Sequence, residues 1–363
     1  MLDFITERQS CWEKLAAEKR PIFLYGMGNG ADKILSVMEA FGAAPAGFFA
    51  SDGFVRGHSF HGHKVHTLSE IEAKMGSLAD DFVIVLAFGA GYRSLYDKIM
   101  EISERHTLIA PDVPVVGGGI FTYEYALENA EKIENVYNLL ADDISREVYK
   151  NILDFKISGK PEYLHKITTD KKEIWDNVLY PDGDNESGGI YIDMGAYNGD
   201  TVKEFCGFTN GDYKQIFALE PDPKNYRKLE ENTADLPSVH LFNAAAWNED
   251  GLVNFAGRSG RNASVDMSSS AASKVKPVPA LRGDSLCEKA DYIKMDVEGA
   301  EKQAIEGAAE LIKKGCRLNI ACYHRTEDIF AIPLQIHALN PNLRLYMRHH
   351  LYIPAWDTNL YAR

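Results

Sequence analysis

The chain has 363 residues, 45% of them apolar and 25% charged, with a formal net charge of −14 at pH 7. Such a length suggests two domains, the composition is that of a globular protein, and the negative charge argues against a nucleic-acid partner because phosphates are repelled. The cysteines Cys11, Cys206, Cys287, Cys316 and Cys322 are scattered and form no C-x-x-C pair, which points to reduced thiols in the cytoplasm and away from a thiolate zinc site.

Residues 1–19 read as a helix with Phe4, Ile5, Trp12 and Leu15 on one apolar stripe. The charged start, Met1 to Arg8, lacks an apolar export core. No run approaches the ~20 apolar residues of a membrane span, so no membrane partner is expected. Pro21–Tyr25 reads as a buried strand, followed by the turn Gly26-Met27-Gly28-Asn29-Gly30-Ala31 and a helix through Ile34, Leu35 and Met38. This G-x-G-x-x-A turn is a dinucleotide-type variant. Gly47–Asp52 is a second strand ending in an acid, Asp81–Gly89 a third, and Leu108–Ala110 the start of a fourth. Residues 1–116 are therefore expected to form a small Rossmann-like α/β module. Gly26, Gly28 and Asp52 are its candidate second nucleotide-like site; alternatively, the glycines serve only close helix–strand packing. His58, His61, His63 and His66 lack a completing carboxylate or thiol and read as a surface hairpin rather than a metal site.

Gly117-Gly118-Gly119 breaks the chain. Tyr123–Leu140 and Ile144–Ile157 then carry helical spacing, and Ser158-Gly159-Lys160-Pro161 ends that part. Residues 117–184 are read as a helical bridge, which either covers the active site or merely connects. Its tyrosines Tyr123, Tyr125, Tyr137 and Tyr149 either line a substrate pocket or pack the domains together.

The run Gly189–Thr201 carries the most information. An apolar β-branched stretch ends in Asp193, a glycine turn follows, and a helix starts. An open α/β sheet presents a nucleotide-like cofactor at such strand ends. Gly195 and Gly199 are four apart, so the pyrophosphate cradle G-x-G-x-x-G is missing. A carboxylate at Asp193 would repel a pyrophosphate and suits a ligand with ammonium and sulfonium charges, which is S-adenosylmethionine. Glu220, at the end of Gln215–Glu220, is placed to accept hydrogen bonds from two ribose hydroxyls, and Pro221 fits the turn into the next helix. Asn243 and Ala244 follow a third short strand, where small residues leave room for adenine. The cofactor-binding set is thus Asp193, Gly195, Ala196, Asn198, Gly199, Thr201, Glu220, Pro221, Asn243 and Ala244, joined by Asp296.

Further along, Gly257–Ser273 reads as a loop over the site. In Asp291–Glu301 a strand ends at Asp296, a helix begins near Ala300, and Asp296, Glu298 and Glu301 gather at one sheet edge. Arg317–His324 is the next strand, with His324 just past its tip, and Leu343–Arg348 with Thr358–Ala362 reads as a closing antiparallel pair.

The blocks Ile192–Thr201, Leu219–Pro221, Asp284–Leu286 and Ile293–Glu301, extended by His324, resemble the FkbM family of S-adenosylmethionine-dependent methyltransferases over residues 185–363. The resemblance implies a C-terminal class I (Rossmann-like) methyltransferase sheet with an antiparallel last strand. The smaller Rossmann-like module and the helical bridge would precede it. It also implies O-methylation of a hydroxyl on a sugar, polysaccharide precursor or secondary metabolite, with a small-molecule or carbohydrate acceptor. Many members carry a Glu two positions before the histidine, where this chain has Cys322. His324 is the first candidate base, since an unperturbed imidazole has a pKa of ~6.5. Asp296 and Glu298 follow as base, metal ligand or sugar-hydroxyl acceptor; no metal site is assigned. Two other readings stand beside this one: an NAD(P)-type enzyme with its chemistry in the N-terminal module, and a non-catalytic scaffold. The oligomeric state stays open, a homo-oligomer included.

Overall fold

The computed structural model describes residues 2–55, 59–76, 81–181, 189–256 and 275–363. Strands with no exposed face must be covered on both sides, and Ile22-Phe23-Leu24-Tyr25 and Val83-Ile84-Val85-Leu86 are buried throughout. They form the middle of a six-stranded sheet of β1 (Ile22–Tyr25), β2 (Gly47–Phe49), β3 (Ser59–Phe60), β4 (His63–His66), β5 (Val83–Leu86) and β6 (Thr107–Ile109). The order is β3-β4-β2-β1-β5-β6, parallel except for the β3–β4 hairpin.

The first helix is shorter than the expected 1–19 and spans Cys11–Ala17. Ser10 accepts a hydrogen bond from the Glu13 amide while the Glu13 side chain returns to the Ser10 amide, and this capping box fixes the start. Phe4 and Ile5 lie ahead of it, and Ile5 is still fully buried. At the glycine turn before the helix Asn29–Ala40, a Cβ on Gly26 would stand 2.6 Å from the Phe88 ring, and one on Gly30 2.7 Å from the Ala87 carbonyl oxygen. These two glycines let the helix close onto the end of β5. Gly28 faces open space, and the Asp52 side chain lies outside the described residues, as do His58 and the Gly257–Ser273 loop. His61 and His66 each pair with one carboxylate, Asp32 and Glu70.

Helices Tyr123–Glu128, Ala130–Leu139, Asp143–Ser158 and Pro161–Ile167 follow. Asp142 caps the third, and Gly159 ends it in the left-handed conformation. Tyr149 is fully buried, and Tyr123, Tyr125 and Tyr137 pack on the same core. That core is continuous from Leu2 to Ala362 and joins both sheets.

The second sheet contains β7 (Ile190–Met194), β8 (Gln215–Leu219) and β9 (Val239–Phe242) on one side. A small sheet branches off there: β10 (Ala245–Ala246), β11 (Gly251–Ala256) and β12 (Val275–Leu281). The main sheet continues with β13 (Tyr292–Met295), β14 (Arg317–Ala321), β15 (Leu345–His349) and β16 (Thr358–Ala362). Its order is β15-β16-β14-β13-β7-β8-β9, and β16 runs antiparallel to both its neighbours. This is the anticipated class I arrangement with an antiparallel last strand. The strand order reverses between β7 and β13, which opens a crevice at their carboxyl ends. All five cysteines are free thiols. Among the described residues, no helix is long and apolar enough to cross a membrane.

Candidate active site

A cleft of about 290 Å³ opens at this reversal point. Its floor depends on close contact between the turns that leave β7 and β13. Gly195 has φ +85°, and a Cβ there would lie 1.8 Å from the Asp296 carbonyl oxygen. Only glycine fits that position.

Beneath the turn, Asp193 and Lys294 are register partners on β7 and β13. The Lys294 ammonium stands 3.3 Å from Asp193 Oδ1 and donates to the Gly195 carbonyl at 2.9 Å. The Thr201 hydroxyl donates to Asp193 Oδ2. Asp193 is fully buried and does not line the cleft. The structure thus places it beneath the cleft rather than on its lining, where it was expected to grip the ligand. Lysine and threonine consume its charge, and its part is to hold the glycine turn and the start of the helix Asp200–Phe208. Lys294 itself went unrecognised in the sequence.

Glu220 fits its expected place at the tip of β8. It lines the cleft and is 6% exposed. Its two carboxylate oxygens accept from the backbone amides of Tyr197 at 2.9 Å and Asp222 at 2.8 Å. Burial nevertheless pushes its pKa up to about 7. Pro221, Gly195, Thr201 and Asp296 also line the cleft, whereas Ala196, Asn198, Gly199, Asn243 and Ala244 do not. Asn243 instead donates to the carbonyls of Glu220 and Pro221, which fixes the β8 tip. Gly199, at φ +84°, serves as the cap before the next helix. Ala245 and Ala246, one step further along, supply the small surface expected of Ala244.

The opposite pole of the cleft is made by Asp296, Glu298 and His324. His324 Nε2 stands 3.4 Å from Asp296 Oδ1 and 3.6 Å from Glu298 Oε2, and its Nδ1 stands 3.0 Å from Glu301 Oε1. Glu301 is fully buried and also accepts from the Val297 amide at 2.9 Å. The Tyr323 hydroxyl donates to Asp296. Burial alone would lower the pKa of His324, yet the three carboxylates, Glu301 foremost, raise it to about 10. Burial, reinforced by Asp296 and Glu301, raises Glu298 to about 8 against the pull of His324. These carboxylates favour the protonated imidazole, whereas the ordinary value would leave the ring free to act as a base. The structure brings all three sequence-derived catalytic candidates together.

The remaining wall comes from distant parts of the chain. Val115 and Lys171 reach in from the segments before and within the helical bridge, and Tyr352, Trp356 and Asp357 from the loop between β15 and β16. The Val116 amide donates to the His324 carbonyl at 3.0 Å. Ala90, just past β5, exchanges two backbone hydrogen bonds with Ile353 at 2.7 and 3.1 Å. The first module thereby props the loop that carries Tyr352. None of the bridge tyrosines Tyr123, Tyr125, Tyr137 and Tyr149 lines this cleft.

Comparison with known proteins agrees with this geometry. Residues 193–354 match the Methyltransferase FkbM domain. The 2-O-methyltransferase NoeI of Sinorhizobium fredii is 25% identical over 146 residues, which covers 34% of this chain; the match spans 59% of that protein's length. The crystal structure of Methyltransferase FkbM from Methylobacillus flagellatus KT superposes with a TM-score of 0.69 at 18% identity, over 100% of this chain and 96% of that one. Its fold therefore extends over the first module and the bridge as well as the second sheet. Over residues 193–354, then, this chain is similar to the FkbM methyltransferases.

Proposed function

We propose that this protein uses S-adenosylmethionine to methylate a hydroxyl oxygen of a sugar or a similar polyol-like small molecule. One observation carries the reading: Glu220 and the Asp296–Glu298–His324 cluster face the same small cleft from opposite sides of the strand-order reversal. Glu220, with both oxygens already oriented by backbone amides, offers its remaining lone pairs to a ribose diol. The sulfonium methyl then points toward the acidic pole, where negative charge favours a cationic donor. The acceptor oxygen attacks that methyl in line: the carbon–sulfur bond breaks, the carbon–oxygen bond forms, and the hydroxyl proton passes to the acidic pole. The sulfonium is already activated, so the chief tasks are alignment and exclusion of water. The name of NoeI, a 2-O-methyltransferase, supports oxygen as the target.

The N-terminal glycine turn gives little support to an NAD(P) enzyme, because Gly26 and Gly30 already serve helix–strand contact. The test is a thermal melt of the full chain with S-adenosylhomocysteine or NAD. A shift with the first and none with the second is expected. No shift with S-adenosylhomocysteine would sink the reading. Mass spectrometry of a sugar panel incubated with S-adenosylmethionine then identifies the acceptor by a gain of one methylene unit.

A further inference from the structure

Asp296, Glu298 and His324 place one ligand atom each within 4.8 Å of one another, and among the described residues they are the one such group. They come from two adjacent strand ends, the turns after β13 and β14. The donors are mixed, two carboxylates and an imidazole, which suits a divalent transition ion better than a hard cation such as Ca²⁺.

The imidazole supplies the decisive detail. His324 is 1% exposed, and the nitrogen that concerns the site is Nε2. That nitrogen is aimed at two carboxylate oxygens, 3.4 and 3.6 Å away. Donors bound to an ion at about 2.1 Å stand about 3.0 Å apart along an octahedral edge and about 3.4 Å along a tetrahedral one. The two separations from the imidazole need only a slight inward movement. On the far side, Nδ1 faces buried Glu301 at 3.0 Å. A ligating histidine characteristically presents its second nitrogen to such a carboxylate, which fixes the ring and strengthens the ligand. Glu301 is itself anchored by the Val297 amide, so the ring orientation is set before anything binds. Among the described residues, Glu298 has no lysine or arginine within 4 Å, and Asp296 is held by the Tyr323 hydroxyl and His324. The side chains of Asp296 and Glu298 remain 36% and 27% exposed toward the cleft, so an ion there keeps open coordination positions.

We propose that Asp296, Glu298 and His324 form a divalent transition-metal site, with Glu301 as its positioning residue. The ion sits at the acceptor end of the cleft. Its role there, which rests on the methyl-transfer reading, is to bind the acceptor hydroxyl and lower that hydroxyl's pKa, so that an alkoxide faces the methyl donor and the released proton, no longer taken up by the acidic pole whose groups hold the ion, passes to water in the open cleft. Binding of the ion does not depend on that reading.

The experiment is a titration of metal-stripped full-length protein with Mn²⁺ alone at about pH 8, where the entering ion displaces protons from its ligands. The six-line electron paramagnetic resonance signal of free Mn²⁺ reports binding. One ion per chain is expected. Asp296→Asn and Glu298→Gln should each weaken binding at least tenfold, and Glu301→Gln by about 10–100-fold, with unchanged circular dichroism. An undiminished free signal at equal concentrations near 100 µM overturns the proposal, as does binding that survives in the Asp296→Asn, Glu298→Gln double variant. A parallel S-adenosylhomocysteine melt keeps this result separate from the methyl-transfer reading. Cofactor binding without Mn²⁺ binding removes only the metal site, and Mn²⁺ binding without cofactor binding removes only the methyl-transfer role.

Discussion

Lys294 and Asp193 face each other at 3.3 Å beneath the turn that follows β7, and both are nearly shut off from water. A buried pair of this kind contributes little over an apolar substitute, but breaking it leaves one charge stranded. Lys294→Met should therefore destabilise the protein by about 3–5 kcal/mol. The Lys294→Met, Asp193→Asn double variant should lose distinctly less than the sum of the two single variants. Urea denaturation of the four proteins measures this, and strict additivity would refute the coupling. Cofactor affinity should weaken in the single lysine variant as well, because the Gly195 carbonyl loses its donor.

Glu220 links ligand binding to acidity. Burial holds its pKa near 7 in the empty cleft, above the ordinary 4.5. Hydroxyl donors favour the anion, so binding below that pKa must first expel a proton. Affinity for S-adenosylhomocysteine should be flat above pH 7 and fall by up to about tenfold per unit below it. Calorimetric titrations across pH read this slope directly. Glu220→Ala should bind weakly at every pH and show no slope.

His349 governs acid stability. Burial pushes its pKa from 6.5 down to about 4. The folded state keeps the ring neutral, while the unfolded chain takes up a proton near 6.5. The associated stability is full above about pH 6.5 and is lost as the pH falls toward 4, at a cost of a few kcal/mol. Melting temperature against pH should drop across this window, and His349→Gln should flatten the drop. A parallel decline in both proteins would assign the acid sensitivity elsewhere.

The contact between the first module and the Tyr352 loop should control acceptor use. A Cβ on Gly91 would come within 2.6 Å of the Tyr352 ring. Gly91→Val should displace that ring and lower kcat/KM for the acceptor by at least about tenfold, since small misplacements are costly for aligned reactants. Affinity for S-adenosylhomocysteine should stay unchanged. Steady-state kinetics with varied acceptor decides it, and unaltered acceptor kinetics would remove Tyr352 from the acceptor wall.

The parts of the site that could be read from the sequence share one property: each is local to a strand end. Glu220 before Pro221, the Asp296–Glu301 run, and His324 past an apolar strand announce themselves through periodicity that stops at a polar residue. Lys294 does not, because a lysine inside a four-residue strand looks like an ordinary outward-facing position until its neighbour across the sheet is known. Asp193 was legible as a strand-end acid, but its direction was not. The face it presents depends on the pairing of β7 with β13. Val115, Lys171 and Tyr352 were hidden for a different reason. They approach the cleft from far along the chain, and nothing local to them marks the destination. The first helix was overextended because Phe4 and Ile5 continue an apolar stripe, while the Ser10–Glu13 capping box sets the true start.

The paired amides and carbonyls of Ala90 and Ile353 have a practical consequence for anyone who shuffles these proteins. They act as a stitched seam between the front half and the catalytic half. Grafting the front half of a relative onto this sheet, in the hope of changing what is methylated, requires transplanting the 352–356 loop along with it. Otherwise the two edges of the chimera will not mate.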